Sequence, residues 1–294
     1  MADEFAAAFP AAQRVLAEAS DALGLDVLAL TRATDGQLDQ TENTQPAIVA
    51  TEIAMLEALR ENFSFAPSRF GGHSLGEYTA LVAAGAIPLA SALRLVRLRG
   101  RLMQTAVPIG VGGMVAIIQN GLDLERVRVV AAAADVDVAN INSPSQVVLS
   151  GGLPGLASAI AALEPWLASG GGRAVRLEVS APFHSRALGV VEPDFHSALL
   201  AEAAAFHPEC ARAVTSNYLG GFHDGTLAGL VDALVHQISG SVRWTEDMRV
   251  LAADGARIVE IGPNRPLSRF FKELGIDSIA VLNVKAAEKA FARA

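Results

Sequence analysis

The chain reads as an α/β domain interrupted by a smaller ferredoxin-like unit. Residues 1–110 and 181–294 form the larger part and residues 111–180 the insert. Three observations predict this. Helical and strand-like apolar patterns alternate along most of the 294 residues. Gly72-His73-Ser74-Leu75-Gly76 fits G-x-S-x-G, the pattern of a sharp strand-to-helix turn that exposes a serine. After the glycine-rich VPIGVGG the texture changes, and short elements follow in the order βαββαβ.

Taken in order, residues 44–62 have helical apolar spacing at Ile48, Ile53, Leu56 and Leu59. The segment FAPSRFGG is only weakly apolar, and it is expected as a strand because an elbow must follow one. Residues 77–84 return to a helical pattern that ends near Gly85, and residues 89–104 form the clearest amphipathic helix. In the insert, residues 114–118 (MVAII) read as a strand and 122–134 as a helix. VDVANINSPSQVVLSGG gives two strands around a Ser-Pro-Ser turn, 156–168 a second helix and RAVRLEVS a closing strand. Helix and strand then alternate to a last clear strand at ARIVEIG.

Composition narrows the class of function. At 51% hydrophobic and 18% charged residues, the chain has the makeup of a globular domain able to bury a full core. No uncharged apolar run reaches the roughly 18 residues a bilayer span needs. The opening MADEFAAAFP carries acids where a secretory signal carries lysine or arginine. A lone cysteine, Cys210, excludes an internal disulfide, and the expected location is the cytoplasm. A net charge of −8 argues against general affinity for nucleic acid or an anionic membrane.

A serine hydroxyl needs a base to act as a nucleophile, most often histidine. Of the six histidines, His184 follows directly on the strand RAVRLEVS, and catalytic side chains of open α/β sheets gather at the carboxyl ends of strands. His184 is therefore the expected base for Ser74. His73 flanks the serine and is expected to point away from it, lining the pocket. His196 and His236 fall in helices, and His207 and His223 stand in turns. The acids between Ser74 and His184 include Asp135, Asp137 and Glu178, and none is singled out as the group that orients the base. A backbone carbonyl serves equally well. On the helix of residues 89–104, Arg94, Arg97 and Arg101 share one face, whereas Arg99 lies nearly opposite among Ala92, Leu95, Leu102 and Met103. A guanidinium on a packed face needs an anion. Two readings stand: a structural salt bridge, or a clamp for a substrate carboxylate.

Six ordered blocks carry a resemblance. GHSLGEYTALVAAGAI with RLVRLRGRLMQ, then GGMVAII, NINSPSQVVLSGG, VSAPFHS, SVRWTEDM and VEIGP are similar, in order and spacing, to the malonyl-CoA:acyl carrier protein transacylases and the acyltransferase domains of polyketide synthases. The resemblance covers almost the whole chain. It implies an α/β-hydrolase-like, doubly wound catalytic domain with the insert. It also implies an acylated Ser74, His184 as base and Arg99 on the free malonyl carboxylate. The backbone carbonyl of Gln237 would orient His184, the Leu75 backbone N–H would serve the oxyanion, and Asn142, Gln146, His73 and Phe183 would line the pocket. Phe183, beside the base, matches malonyl-selective members.

The implied reaction uses malonyl-CoA as substrate and an acyl carrier protein, with its phosphopantetheine, as partner. It needs no metal and no bound cofactor. The family's opening strand and GQG loop have no counterpart after Met1, so the working protein is expected to start upstream with both. Two alternatives share the motifs: a serine hydrolase that clears acyl groups from carrier proteins, and a non-catalytic scaffold.

Overall fold

The computed structural model describes residues 2–291. Its first third is helical: α1 (Asp3–Ala8), α2 (Pro10–Leu23), α3 (Val27–Arg32) and α4 (Thr41–Phe63). Pro10 starts α2 at a position where its missing N–H costs nothing, and Gly24 ends that helix at φ 65°. The Asp26 carboxylate caps α3 by accepting from the Ala29 N–H at 2.8 Å. On α4 the small residues Ala47, Ala50, Ala54 and Ala58 are all buried, which lets neighbouring helices approach closely. The elbow helix α5 (Gly76–Ala83) and then α6 (Leu89–Thr105) follow. At the crossing of α4 and α6, a Cβ on Gly100 would lie 2.6 Å from the Thr41 carbonyl oxygen, so only glycine permits the contact. That crossing sets Arg99, the preceding residue, against Gln45.

The insert holds β1 (Gly112–Ile118), α7 (Leu124–Ala133), β2 (Val136–Ser143), β3 (Gln146–Gly152), α8 (Leu153–Ser169) and β4 (Arg173–Arg176). Its sheet is antiparallel throughout, in the order β2-β3-β1-β4, which is the ferredoxin-like arrangement expected. Val115, Ile117, Val147 and Leu149 point to the helices and pack on Val127, Leu156 and Leu163, giving the insert a core of its own. The closing strand pairs over Arg173–Arg176, shorter than RAVRLEVS, with one more bond from the Leu177 N–H to the Met114 carbonyl.

The rest of the chain contains α9 (Glu192–Glu202), β5 (Thr215–Ser216), β6 (Gly221–Phe222), α10 (Leu227–His236) and α11 (Trp244–Leu251). It closes with β7 (Ile258–Ile261), α12 (Pro266–Glu273), β8 (Ser278–Val281) and α13 (Val284–Phe291). The whole is a mixed α/β fold of helices and sheet with a smaller β-rich unit. The insert is tied back to the larger part by a parallel bridge between Asn140 and Val242 and by Arg186, which pairs with Asp135 and Asp137.

The sheet of the larger part is in pieces. FAPSRFGG, expected as a strand, makes a single parallel bridge, Phe70 to Val214. Pro67 lacks a donor and Gly71-Gly72 already turn toward the elbow, so little extended backbone is left to pair. β7 and β8 form a separate parallel pair. Between Phe70 and β7 lies a groove of about 930 Å³, walled by α4 and α5 on one side and by Trp244, Leu251 and Phe271 on the other. Phe70 spends both backbone bonds on residues 213 and 215, so the backbone groups of Arg69 and Gly71 face this groove. Val259 and Ile261 face it from β7, whose partner β8 covers the opposite edge.

Candidate active site

The G-x-S-x-G turn is held by its own glycines. A Cβ on Gly72 would sit 2.2 Å from the Gly76 backbone, so the chain folds back on itself there only with glycine. Ser74 is left at φ 52°, a conformation that L-residues adopt under constraint. The constraint comes from Asn217, just after β5. Its Oδ1 accepts from the Ser74 N–H at 2.5 Å and its Nδ2 donates to the Gly72 carbonyl at 2.9 Å. One buried side-chain amide thus bonds the backbone on both sides of His73, as a neighbouring strand would.

Ser74 Oγ lies 2.7 Å from His184 Nε2. His184 is buried and also has a positive φ, 56°, in the turn after the insert. Its Nδ1–H donates to the Gln237 backbone carbonyl at 2.8 Å, where α10 ends. Burial, reinforced by the Arg99 guanidinium, pushes His184 down to about 3. At neutral pH the ring is therefore uncharged, with Nε2 free to accept the serine proton. Asp135 and Asp137 are spent on Arg186 at the surface, and the orienting group is a carbonyl.

Around the elbow, the N–H groups of Ser74, Gly76 and Glu77 are taken by Asn217 Oδ1, the His73 carbonyl and the Ser74 carbonyl. The Leu75 N–H has no acceptor among the described residues. It is the one N–H of residues 74–77 left open beside Ser74, and a free backbone donor of this kind can receive a negatively charged oxygen.

Arg99 is 2% exposed. Its Nη1 donates to Gln45 Oε1 at 2.9 Å, and its Nη2 donates to Gln237 Oε1 at 2.9 Å and to Ser74 Oγ at 3.1 Å. The Tyr78 ring lies 5.5 Å from its Cζ, and its Nε has no acceptor. Among the described residues no carboxylate pairs with it. Burial pulls the guanidinium below its ordinary value, and the Tyr78 phenol and the Glu77 carboxyl act in the opposite direction. The salt-bridge reading of Arg99 fails. A buried cation held by neutral acceptors, within bonding distance of the nucleophile, is arranged to receive an anion.

Of the remaining expected residues, three form one hydrogen-bonded chain and the fourth packs on the sheet of the insert. His73 Nε2 is 2.8 Å from Asn142 Oδ1, and Asn142 Nδ2 donates to Gln146 Oε1 at 3.0 Å, so the β2–β3 hairpin meets the elbow through His73. Burial keeps His73 below its ordinary value. Phe183, half-buried, touches the small apolar cluster of Met114, Ala139 and Val148 beneath that hairpin.

Several polar residues of the site lay outside the sequence reading. Glu77 is fully buried: Oε1 is 2.9 Å from His223 Nε2, and Oε2 accepts from the Asn217 N–H at 3.0 Å and Gln237 Nε2 at 2.7 Å. Asn217 Nδ2 also donates to Asp247 Oδ2 at 2.8 Å, and burial pushes Asp247 up to about 9. The readable signal was Glu77 itself, an acid opening a helix that then runs YTALVAAGAI almost without polar residues. Gln45, Asn217 and His223 carry no such mark, because their partners lie far away in sequence.

The family model described as "Acyl transferase domain" matches residues 1–263. A malonyl CoA-acyl carrier protein transacylase of Salmonella typhimurium is 37% identical over 295 residues, spanning 98% of this chain and 92% of that protein. The crystal structure of an Acinetobacter baumannii protein of that type superposes with a TM-score of 0.91 at 36% identity, over 99% of this chain and 92% of its own. A type II polyketide malonyl-transacylase, solved in complex with its acyl-carrier protein, gives a TM-score of 0.86 at 35% identity, over 99% and 94%. The chain belongs to the malonyl-CoA:acyl carrier protein transacylase family.

Proposed function

We propose that this chain moves a malonyl group from malonyl-CoA to the phosphopantetheine thiol of an acyl carrier protein, through an ester on Ser74. The observation that carries the reading is Arg99, buried without a carboxylate partner and 3.1 Å from Ser74 Oγ. In a malonyl ester the free carboxylate sits a single methylene from the ester carbon, so a cation beside the nucleophile is where that carboxylate falls.

His184 Nε2 takes the Ser74 proton as Oγ attacks the thioester carbon, and the Leu75 N–H receives the developing oxyanion. Collapse breaks the carbon–sulfur bond, and the protonated His184 returns its proton to the departing CoA sulfur. The carrier thiol then gives its proton to His184, attacks the malonyl-Ser74 carbonyl and releases the serine, which is reprotonated from His184. The Gln237 carbonyl keeps Nδ1 protonated throughout, so Nε2 is always the exchanging atom. We assign residues 1–110 and 181–294 to the catalytic part, with residues 111–180 supplying Asn142 and Gln146. Among the described residues no helix is long and apolar enough to cross a membrane.

The test is to incubate the protein with malonyl-CoA, digest it and map the acyl group by mass spectrometry. Malonyl on Ser74, discharged by a phosphopantetheinylated carrier protein and not by its unmodified form, is the expected result. Label on another residue, or discharge to water at the same rate with and without carrier, overturns it.

A further inference from the structure

Arg99 owes its availability to a residue whose side chain has no part in the reaction described above. The Gln237 side-chain amide stands between Arg99 and Glu77. Its Nε2 donates to Glu77 Oε2 at 2.7 Å and to the Ser74 carbonyl at 3.0 Å. The Ser74 carbonyl only accepts and the Arg99 guanidinium only donates, so the amide orientation is fixed, with Oε1 facing Arg99 Nη2 at 2.9 Å. Glu77 is itself pinned by His223 and by the Asn217 N–H. A buried carboxyl and a buried guanidinium therefore sit at opposite ends of one neutral amide, held apart by it.

We infer that the Gln237 side chain is a positioning residue that sets acyl selectivity: it anchors Arg99 beside Ser74 while keeping the buried Glu77 carboxyl from pairing with it. This rests on the malonyl-transfer reading above. A direct ion pair would satisfy Arg99 internally, and an incoming acyl carboxylate would then have to displace a buried anion. Through the amide, Arg99 receives a hydrogen bond acceptor but no counter-charge, and its positive charge is left for the substrate. The same residue serves the base through its backbone carbonyl, which a side-chain substitution leaves in the chain.

The variants Gln237→Glu and Gln237→Met separate the charge from the anchor. Glutamate places a carboxyl on Nη2, and methionine removes the acceptor at nearly constant volume. For each, kcat and KM are measured with malonyl-CoA and with acetyl-CoA as an uncharged probe, alongside the melting temperature. In Gln237→Glu the malonyl-to-acetyl ratio of kcat/KM is expected to fall by about 10 to 150-fold, the range of one charge-assisted contact, chiefly through a higher KM for malonyl-CoA. Gln237→Met should show the same direction with a smaller change. A merely structural role would lower both substrates by one factor and leave the ratio at its wild-type value in both variants, and that result overturns the inference. The wild-type protein is assayed first for malonyl-Ser74. Failure there sinks the transfer reading, whereas a labelled wild type with an unmoved ratio sinks only the role of Gln237.

Discussion

The insert and the larger part of the molecule are built on opposite principles. In the insert an antiparallel sheet of four strands packs on two helices, and the cluster between sheet and helices is built from aliphatic side chains such as Val115, Ile117, Leu149 and Leu163. In the larger part the parallel pairing is broken between Phe70 and β7, and the catalytic groups are fixed by buried hydrogen bonds among Glu77, Arg99, Asn217, His223 and Gln237. The difference shows where each part gets its precision. A sheet places strands to within a register, but a base and a cation that each lie within about 3.1 Å of one serine oxygen need directional bonds to hold them there.

The largest effect should come from breaking the directional side. His184→Ala removes the base and is expected to slow Ser74 acylation by about 10² to 10⁴-fold, read by rapid-quench labelling. The pH profile sharpens this. With His184 held down to about 3, the uncharged form persists well below pH 6.5, so labelling should stay level from pH 7 to pH 5. The same depression makes the His184 contribution to stability complete above about pH 6.5 and lost as pH falls from there toward 3. A rate that halves near pH 6.5 would mean the base is not the buried ring described.

A middle-sized effect should separate the two sheets directly. Amides facing the groove, such as those of Gly71 and Ile261, are expected to exchange with solvent deuterium at least ~10²-fold faster than those of Val115 and Ile117 in the central strand of the insert. Equal protection would show that the groove is filled in solution and erase the contrast.

The smallest effect concerns Glu52, whose carboxyl lines the groove and accepts from Thr79 Oγ1 at 2.6 Å. Burial pushes it up to about 7; the Thr79 bond opposes this and Glu260 adds to it. A carboxyl raised in the folded state contributes stability that is present below its unfolded value and lost as pH rises toward 7. Glu52→Gln keeps an acceptor for Thr79 and removes the titration, so it should gain on the order of 1–3 kcal/mol relative to wild type between pH 4.5 and pH 7.5, by chemical denaturation. An unchanged difference across that range would place Glu52 in open solvent.

Legibility in the sequence followed the same division. The βαββαβ order, the Ser-Pro-Ser hairpin turn and the long amphipathic helices were readable because apolar periodicity is local. Ser74, His184 and Arg99 were readable too, each from a local anomaly: a glycine-bracketed serine, a histidine ending a strand, an arginine on the wrong face of a helix. The family resemblance supplied Gln237, Leu75, Asn142 and Gln146. What escaped were the bonds between distant segments. Asn217 meets Ser74 across 143 positions, and Gln237 meets Glu77 across 160. Nothing in a short window marks an asparagine or glutamine whose partners are that remote. The broken strand at Phe70 escaped for the converse reason: the elbow required a strand locally, but its pairing depends on neighbours elsewhere.

The central claim is that a buried, uncompensated guanidinium beside the nucleophile selects the acyl group. Arg99→Ala, assayed with malonyl-CoA and acetyl-CoA, tests it most directly. The account predicts that malonyl transfer falls by about 10 to 150-fold while acetyl transfer is retained or rises, since the emptied site no longer leaves a buried cation facing an uncharged acyl group. A fall of the same size for both substrates, together with a lower melting temperature, would contradict it and make Arg99 a structural residue.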